Sequence, residues 1–320
     1  LDPIGSFVLE GKLKTGAFDE LKAAIEKTSE LPQFRVIGVH GKYFANSGAS
    51  IVQELAFALA QGVEHLTRLT DSGLNADEVA QNIKFNFGIG NNYFMEIAKL
   101  RAARLLWAQI VKAFEPKNDE SAKLIAHSET NRYNKTFYDP YVNMLRTQTE
   151  AMSAVLGGAD SITVLPFNAI FGDTTEFSER IARNQQILLK EEAHLDKIAD
   201  PGAGSYYIEN LTASLAEHAW SLFLQVQDKG GFVQAFKEGF IQNEIKAMAA
   251  KRDTNVALRR ENLLGVNQFP NFSETAKEEF PEWVFQASNC TEDNAEVETL
   301  KPYRAAQPFE ALRYKTDVYA

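Results

Sequence analysis

The fold is decided by the stretch "GVHGKYFANSGASIVQELAFAL", residues 38–59. An apolar run at 36–39 leads into a glycine-rich bend, and a long amphipathic helix begins at about residue 49. In α/β proteins, the bend that joins the end of a strand to the next helix is where chemistry is placed. The tripeptide Lys-Tyr-Phe at 42–44 occupies that position. Tyr43 is therefore either a catalytic residue or the mark of a site that no longer works.

The same alternation of a short apolar segment and a long amphipathic one occurs four times. Strands that alternate with helices of this length predict an α/β fold with a parallel sheet. Two architectures fit, a doubly wound sheet or a (β/α)8 barrel of the TIM type. Because a complete barrel needs about eight units, only its C-terminal half would be present. The predicted strands and following helices are 34–41 and 49–69, 83–90 and 92–114, 122–130 and 141–157, and 160–167 and 175–195.

The chain is predicted to divide into three regions. Residues 1–205 form the half-barrel, and residues 206–260 form a helical segment packed on it, with a break at 229–231. Residues 261–320 lack clear periodicity, which predicts an irregular wrapping segment or a linker toward a missing C-terminal domain. Prolines punctuate this last region at Pro270, Pro281, Pro302 and Pro308.

Half a barrel has consequences for association. Its sheet would have open edges at the first and last strands, 36–39 and 160–167, and such edges seek pairing partners. We also expect it to expose the apolar interior that a whole barrel fills with side chains. The sequence therefore predicts that this part is held by a missing N-terminal half or self-associates.

Composition excludes several classes of protein. The net charge of −10 is spread along the chain, so no basic stripe is available for nucleic acid. No apolar run approaches the ~18 residues of a membrane span. The single cysteine, Cys290, cannot form an internal disulfide and fits a reducing, cytoplasmic compartment. The first residue is Leu1 rather than Met, which suggests a piece of something longer.

Local patterns give only weak functional candidates. The segment "GIGNNY" at 88–93 has Tyr93 where a dinucleotide fingerprint needs its third glycine, so a tight turn is favoured. His40 and His127 are the strand-end histidines, and His127 is the better candidate. The other histidines, His65, His194 and His218, fall inside predicted helices and are interpreted as solvated or half-buried structural residues.

Two further segments leave alternatives open. Arg180 and Arg183 could grip a phosphate or carboxylate, but an ion-paired helix face with Glu176 and Glu179 is favoured. Residues 199–212 form a Pro/Gly turn that leads into two adjacent tyrosines. The sequence favours neither a functional nor a structural role for this segment.

Longer motifs carry a family resemblance over roughly residues 36–265. Together they resemble the acyl-CoA-binding barrel domain of methylmalonyl-CoA mutase. The resemblance implies the second half of a (β/α)8 barrel, with the preceding strands and the cobalamin domain outside this sequence. The motifs are "GIGNNYFMEIAKLRAARLLWA", "DPYVNMLRTQTEAMSAVLGGADS", "RIARNQQILLKEEAHLDKIADPGAGSYYIENLT" and "LLGVNQF".

The resemblance also shows departures from the catalytic chains of that family. The catalytic loop Gly-Tyr-His-Met-Gln-Glu-Ala-Gly-Ala aligns with residues 41–49, and its histidine, which hydrogen-bonds the substrate thioester, falls on Tyr43. A glutamine, a glycine and a tryptophan of a second loop fall on Glu129, Arg132 and Tyr133. An Asp-Glu pair, whose glutamate holds the cofactor's ribose, falls on Asn168 and Ala169. These positions are therefore expected to form a vestigial face with no catalytic, cofactor-binding or metal-binding residue.

The physical consequences support that expectation. A tyrosine ring fills substrate space, a buried unpaired Glu129 carboxylate is costly, and Ala169 cannot hydrogen-bond a ribose. The pattern is similar to that of the family's small subunits, which pair with a large subunit that binds adenosylcobalamin. The resemblance thus implies a large catalytic partner and no cofactor on this chain, and it leaves acyl-CoA binding open.

Two other hypotheses remain. The first is an active cobalamin-dependent mutase of altered specificity, in which Tyr43 suits a different acyl-CoA. The second is a stand-alone acyl-CoA-binding or lyase-type barrel that uses Lys42 as an amine nucleophile, which would require its burial.

Overall fold

A four-stranded parallel sheet forms the centre of the protein, in a computed structural model that describes residues 1–31, 33–274 and 295–319. The strands lie in the order β1-β2-β3-β4. Val39 is opposite Phe85, Phe85 is opposite Ala126, and His127 is opposite Ser161. The strands are β1 Ile37–Val39, β2 Ile83–Ile89, β3 Ala126–Thr130 and β4 Ser161–Thr163.

Helices join the strands and cover one face of the sheet. Because consecutive strands are neighbours and parallel crossovers are right-handed, the connecting helices lie on the same side, as in a barrel and unlike a doubly wound sheet. The α/β fold and its partial, unclosed barrel-like sheet are thus confirmed. The first eight helices are α1 Pro3–Glu10, α2 Ala17–Lys27, α3 Lys42–Asn46, α4 Ile51–Asp71, α5 Ala76–Gln81, α6 Tyr93–Ala113, α7 Val142–Leu156 and α8 Glu176–Glu191.

Each predicted strand and its following helix are present, although all four strands are shorter than predicted. The stretch after β1 is not an open bend, because residues 42–46 form the short helix α3. Helix α4 begins with a capping box, in which Ser50 accepts from the Gln53 backbone N–H and the Gln53 side chain accepts from Ser50 N. Short 3-10 turns lie at Asp119–Ala122 and Leu195–Lys197.

The two faces of the sheet differ in polarity. Successive strand residues point to opposite faces, and the face toward the helices is apolar. There Phe85 packs edge-on against Trp107 of α6, with ring centroids 4.8 Å apart. The opposite face carries the partly exposed side chains of Lys84, Asn86, His127, Glu129, Ser161 and Thr163. The prediction of an exposed apolar interior is therefore wrong, since the alternation places polar residues on the open face.

The strand order leaves β1 and β4 at the edges, as predicted. The N-terminus pairs with part of the outer edge of β1, because the Gly38 backbone N–H donates to the Leu1 carbonyl at 2.9 Å.

Three helices lie within residues 206–260: α9 Tyr206–Asp228, α10 Phe232–Lys237 and α11 Phe240–Ala257. Helix α9 packs against both α4 and α6 and buries Leu215, Ala219 and Val226. The break between α9 and α10 has positive φ at Gly230 (88°) and Gly231 (94°), a conformation that glycine adopts without steric cost.

The C-terminal region is less irregular than predicted. Residues 295–306 run back over the half-barrel, where Leu300 N donates to Val8 O (3.0 Å) and Tyr303 N donates to Asn46 O (2.8 Å). A helix, α12 Gln307–Tyr319, follows. Its periodicity was hidden because it begins beside a proline, which the first turn of a helix tolerates. Cys290 and Pro281 lie outside the described residues. Within the described ranges, no helix is both long and apolar enough to cross a membrane.

Candidate functional site

An ion pair closes the space at the C-terminal ends of the first three strands. Lys42 Nζ lies 2.7 Å from Glu129 Oε2, and the two side chains are 23% and 16% exposed. Lys42 begins α3, directly after β1, while Glu129 belongs to β3. The pair therefore reaches across β2, where Gly88 is the residue opposite Glu129 and contributes no side chain. Glu129 is not the unpaired charge that the sequence suggested.

Tyr43 follows Lys42 in α3, and the Glu129 carboxylate acts electrostatically on its hydroxyl. Its ring stacks on the His40 ring, with centroids 5.1 Å apart and planes 18° from parallel. Burial raises the pKa of the Tyr43 hydroxyl, and the carboxylates of Asp2 and Glu129 raise it further. The phenol thus stays neutral and fills the end of the β1 loop with an aromatic ring.

Asp2 anchors the histidine beneath Tyr43. Its carboxylate lies 2.6 Å from His40 Nδ1 and accepts from Gln61 Nε2 at 2.9 Å. Burial alone would raise the pKa of Asp2, but the side chains of His40 and His65 lower it to about 2. His65 is fully buried, 3.7 Å from Asp2, so its assignment as a solvated or half-buried residue is wrong.

The two candidate residues in the loop after β3, Arg132 and Tyr133, have different surroundings. Arg132 is exposed, and its backbone N–H donates to Asn46 Oδ1 at 2.8 Å. Tyr133 is 2% exposed and lies under the guanidinium of Arg252, 3.8 Å from the ring centroid. Arg132 contacts α3, whereas Tyr133 points into a small core between α11 and the C-terminal region.

Asn168 and Ala169 lie in a turn after β4 that is held by hydrogen bonds within the turn and to α7. Asn168 is buried and its Nδ2 donates to Asp173 O at 2.8 Å, while Ala169 N donates to Pro166 O at 3.0 Å. The neighbouring Phe167 carbonyl accepts from Asn143 of α7. In the part of the chain that the structure describes, no hydrogen bond joins this turn to Tyr43 or Glu129. Electrostatic and hydrogen-bond contacts thus link Tyr43 with Glu129 and the Arg132 loop with α3, whereas the turn is hydrogen-bonded to α7.

His127 bridges the last two strands. Its Nδ1 lies 2.8 Å from Ser161 Oγ and its Nε2 lies 3.1 Å from Thr163 Oγ1. Burial and the nearby Lys84 ammonium lower the pKa of His127, so the ring is neutral near pH 7. With both nitrogens occupied by hydroxyls, His127 ties β3 to β4.

The remaining sequence candidates have structural surroundings. Arg180 and Arg183 are exposed, and across residues 1–31, 33–274 and 295–319 neither forms an ion pair, so the favoured ion-paired face is wrong. Arg101 pins the loop at 199–212 through Asp200 (3.0 Å) and Glu209 (2.9 Å). His194 lies in left-handed backbone after α8 rather than inside a helix, and His218 is exposed.

Sequence reasoning missed a buried charge network behind the strand ends. Lys99 Nζ lies 2.6 Å from both Glu54 Oε2 and Glu96 Oε2, and all three side chains are at most 2% exposed. Burial raises the pKa of Glu54 to about 7, against the lowering effect of Lys99. Glu54 also accepts from the Gly88 backbone N–H at 2.7 Å, so the network ties α4 and α6 to β2. The available signal was the charged pair at i and i+3 inside the apolar run of α6.

Among the residues that the structure describes, no group of three or more His, Cys, Asp or Glu side chains could hold a metal ion.

Comparisons with known proteins bear on this arrangement. The family model for methylmalonyl-CoA mutase matches residues 3–314. The chain is 52% identical over 294 residues to the methylmalonyl-CoA mutase small subunit of Porphyromonas gingivalis, covering 92% of this chain and 47% of that protein. It is 39% identical over 297 residues to the methylmalonyl-CoA mutase of Rhizobium meliloti, covering 92% and 41%. It is 38% identical over 278 residues to the mitochondrial methylmalonyl-CoA mutase of Homo sapiens, covering 87% and 36%. The chain thus spans less than half the length of each of these relatives.

Proposed function

The chain belongs to the methylmalonyl-CoA mutase family, and we propose that it is part of a small subunit that performs no chemistry itself. Its role is to stabilise a large subunit that binds adenosylcobalamin and interconverts methylmalonyl-CoA and succinyl-CoA. The name of the Porphyromonas gingivalis relative, a small subunit, supports this assignment. A cytoplasmic location is part of the proposal.

The observation that carries the proposal is the ion pair of Lys42 with Glu129. In catalytic chains the corresponding face must stay open to substrate. Here a salt bridge of 2.7 Å and the stacked Tyr43–His40 rings occupy the ends of β1 and β3. Opening the site would break the ion pair and leave two largely buried charges without partners, which is strongly unfavourable.

The residues present do not fit adenosylcobalamin on this chain. Glu129, at a position where a neutral amide is expected, is committed to Lys42. Ala169 offers no side-chain acceptor for a ribose hydroxyl, and the turn that contains it is fastened to α7 through Phe167. We therefore assign the cofactor to the large subunit, and these residues take no part in the reaction.

The two competing hypotheses receive less support. An altered substrate explains Tyr43 but not the salt bridge across the site. An amine nucleophile must be a free amine, whereas Lys42 is bound to a carboxylate and remains partly exposed. No observation on the polar open face identifies an acyl-CoA, and its binding by this chain is not part of the proposal.

The test uses the full-length protein with and without the large homologous chain of the same organism. With adenosylcobalamin and methylmalonyl-CoA, we expect no succinyl-CoA from the full-length protein alone and turnover from the pair. In the pair, Tyr43→Phe should change kcat less than twofold, and the small subunit should lengthen the half-life of the large one at elevated temperature. Turnover by the protein alone, or failure of the two chains to copurify, would contradict the proposal.

A further inference from the structure

The strap, residues 295–306, contacts both chain segments that carry the closed site. Its Tyr303 backbone N–H donates to the carbonyl of Asn46, the last residue of α3, at 2.8 Å. Its Ala305 backbone N–H donates to the carbonyl of Tyr133, in the loop after β3, at 3.0 Å. Two donors of one short segment therefore join α3 to the loop after β3.

Asn46 joins the same two segments through its side chain. Its Oδ1 accepts from the Arg132 backbone N–H at 2.8 Å. Asn46 lies four residues after Lys42, so the two side chains leave α3 on the same side. The Lys42 ammonium reaches Glu129 in β3, and the Asn46 amide reaches Arg132 in the loop that follows. Helix α3 is therefore tied to β3 and its loop at both ends.

The strap is itself anchored on two other helices. Leu300 is buried in the largest apolar core, and its backbone N–H donates to the Val8 carbonyl of α1 at 3.0 Å. The Tyr303 hydroxyl donates to Asp253 of α11 at 2.7 Å. A hydrogen bond to a carboxylate is stronger than one between neutral groups. Helices α1 and α11 thus hold the strap, and the strap holds α3.

A glycine at the end of α1 permits the close approach of the strap. A Cβ at Gly11 would lie 2.7 Å from Ala295 Cβ and 2.8 Å from the Val297 carbonyl oxygen. These distances are shorter than real Cβ contacts, so a side chain at this position would push the strap away. Gly16 has almost the same backbone, with φ of 76° against 75°, but its Cβ would meet only Asp19, at 4.0 Å.

We propose that the strap is a conformational latch. By bonding Asn46 and Tyr133 together, it holds α3 against the loop after β3 and keeps the Lys42–Glu129 pair closed. Release of the strap frees α3, so that the two charged groups separate. Access to this face is therefore controlled from the C-terminal region. The inference rests on the closed site that supports the proposed function, but its test requires neither turnover nor the large subunit.

The first experiment measures hydrogen–deuterium exchange of the full-length protein by mass spectrometry. The Tyr43 and Phe44 amides report on α3, since each donates to a carbonyl three residues earlier. Tyr303→Phe removes the bond to Asp253 and keeps the ring, so exchange of the α3 amides should become about three- to tenfold faster.

The matched control is Tyr138→Phe. The Tyr138 hydroxyl donates to Asp317 of α12, also at 2.7 Å, and neither residue belongs to the strap. Exchange of the α3 amides should stay at the parent rate in this variant. An unchanged rate in Tyr303→Phe, or an equal rise in both variants, would overturn the proposal.

A second pair of variants acts on the other end of the strap. Gly11→Ala should speed exchange of both the strap and α3 by about threefold or more, because the added methyl group displaces residues 295–299. Gly16→Ala imposes the same backbone strain without touching the strap, and it should change neither. Faster exchange of the strap alone would show that α3 is held by other contacts and would refute the latch.

A third pair tests the amide of Asn46. Asn46→Ala removes the acceptor of the Arg132 N–H, and exchange of α3 should rise about tenfold. In the control, Asn75→Ala, the lost acceptor also bonds a backbone N–H at 2.8 Å, that of Glu78 in α5. Equal α3 exchange in the two variants would contradict the assigned role. Since none of these measurements uses substrate, turnover by the protein alone would contradict the proposed function and leave the latch unaffected.

Discussion

Lys42 and Glu129 lie 87 residues apart in the sequence, yet their charged groups meet at 2.7 Å over the end of a strand that belongs to neither. Glu129 is therefore paired with a cation, and the short helix that supplies this cation also carries Tyr43. This mutual fit explains how a charged residue is retained at the strand ends.

The ion pair should be worth more than an exposed one. Glu129→Ala should destabilise the protein by about 1–3 kcal/mol, because it leaves the Lys42 ammonium largely buried without its partner. In a double-mutant cycle with Lys42→Ala, measured by urea unfolding, we expect a coupling energy of about 1–2 kcal/mol.

The matched control is the exposed pair Lys14–Glu20, whose side chains are 72% and 62% exposed. The same cycle there should give less than about 0.5 kcal/mol. Equal coupling at both pairs would mean that the Lys42–Glu129 contact is solvated in solution.

Restoring the histidine at position 43 should not restore activity. Groups that act together in a site lose nearly all function when one is missing, so repairing one of several defects gains little. In Tyr43→His, Glu129 and Ala169 remain. The measurement is succinyl-CoA formation by the full-length variant with adenosylcobalamin, and turnover above background would show that Tyr43 alone silences the site.

The buried network predicts a pH dependence that Glu54→Gln should remove. Burial raises the pKa of Glu54 from 4.5 to about 7, so between these values the folded state holds a proton that the unfolded state has lost. The stabilisation from this proton is complete below pH 4.5 and is lost as the pH rises through 7.

The free energy of unfolding of the parent protein, relative to Glu54→Gln, should therefore fall between pH 5 and pH 8. The fall should be on the order of 1–3 kcal/mol. Urea unfolding at each pH measures it, and Glu20→Gln, at an exposed site, should show no comparable change. A difference that grows with pH would mean that Glu54 is ionised throughout.

The packing of α4 on α6 should not tolerate one added methyl group. A Cβ at Gly62 would lie 2.8 Å from the Trp107 ring and 3.0 Å from the Phe85 ring. Alanine favours a helix by about 1 kcal/mol over glycine, but the rings are held by the core. We expect Gly62→Ala to lower the free energy of unfolding by about 1–2 kcal/mol net.

Gly172 provides the control for that substitution. A Cβ there would meet no atom within 4 Å. Gly172→Ala should therefore leave the thermal midpoint within about 1 °C of the parent value. If Gly62→Ala were as neutral, the helices would have to separate more easily than the structure indicates.

The sequence by itself determined the order of strands and helices, because hydrophobic periodicity and turn residues act over short distances. The segment "IKFNFGIG" also contained the polar alternation of β2, in Lys84 and Asn86. This alternation was not interpreted as a polar face of the sheet, because the general rule for barrels predicts an apolar interior. The motifs likewise sufficed to place the chain in its family.

Only the tertiary structure decided what the charged residues do. Lys42 with Glu129 and Glu54 with Lys99 are pairs that the chain brings together from 87 and 45 residues apart. Local pattern carries no information on such partners, since the spacing along the chain does not fix the distance in space. Whether a carboxylate is an unpaired liability or half of a salt bridge depends on that distance and on burial, and both arise only when the strands align.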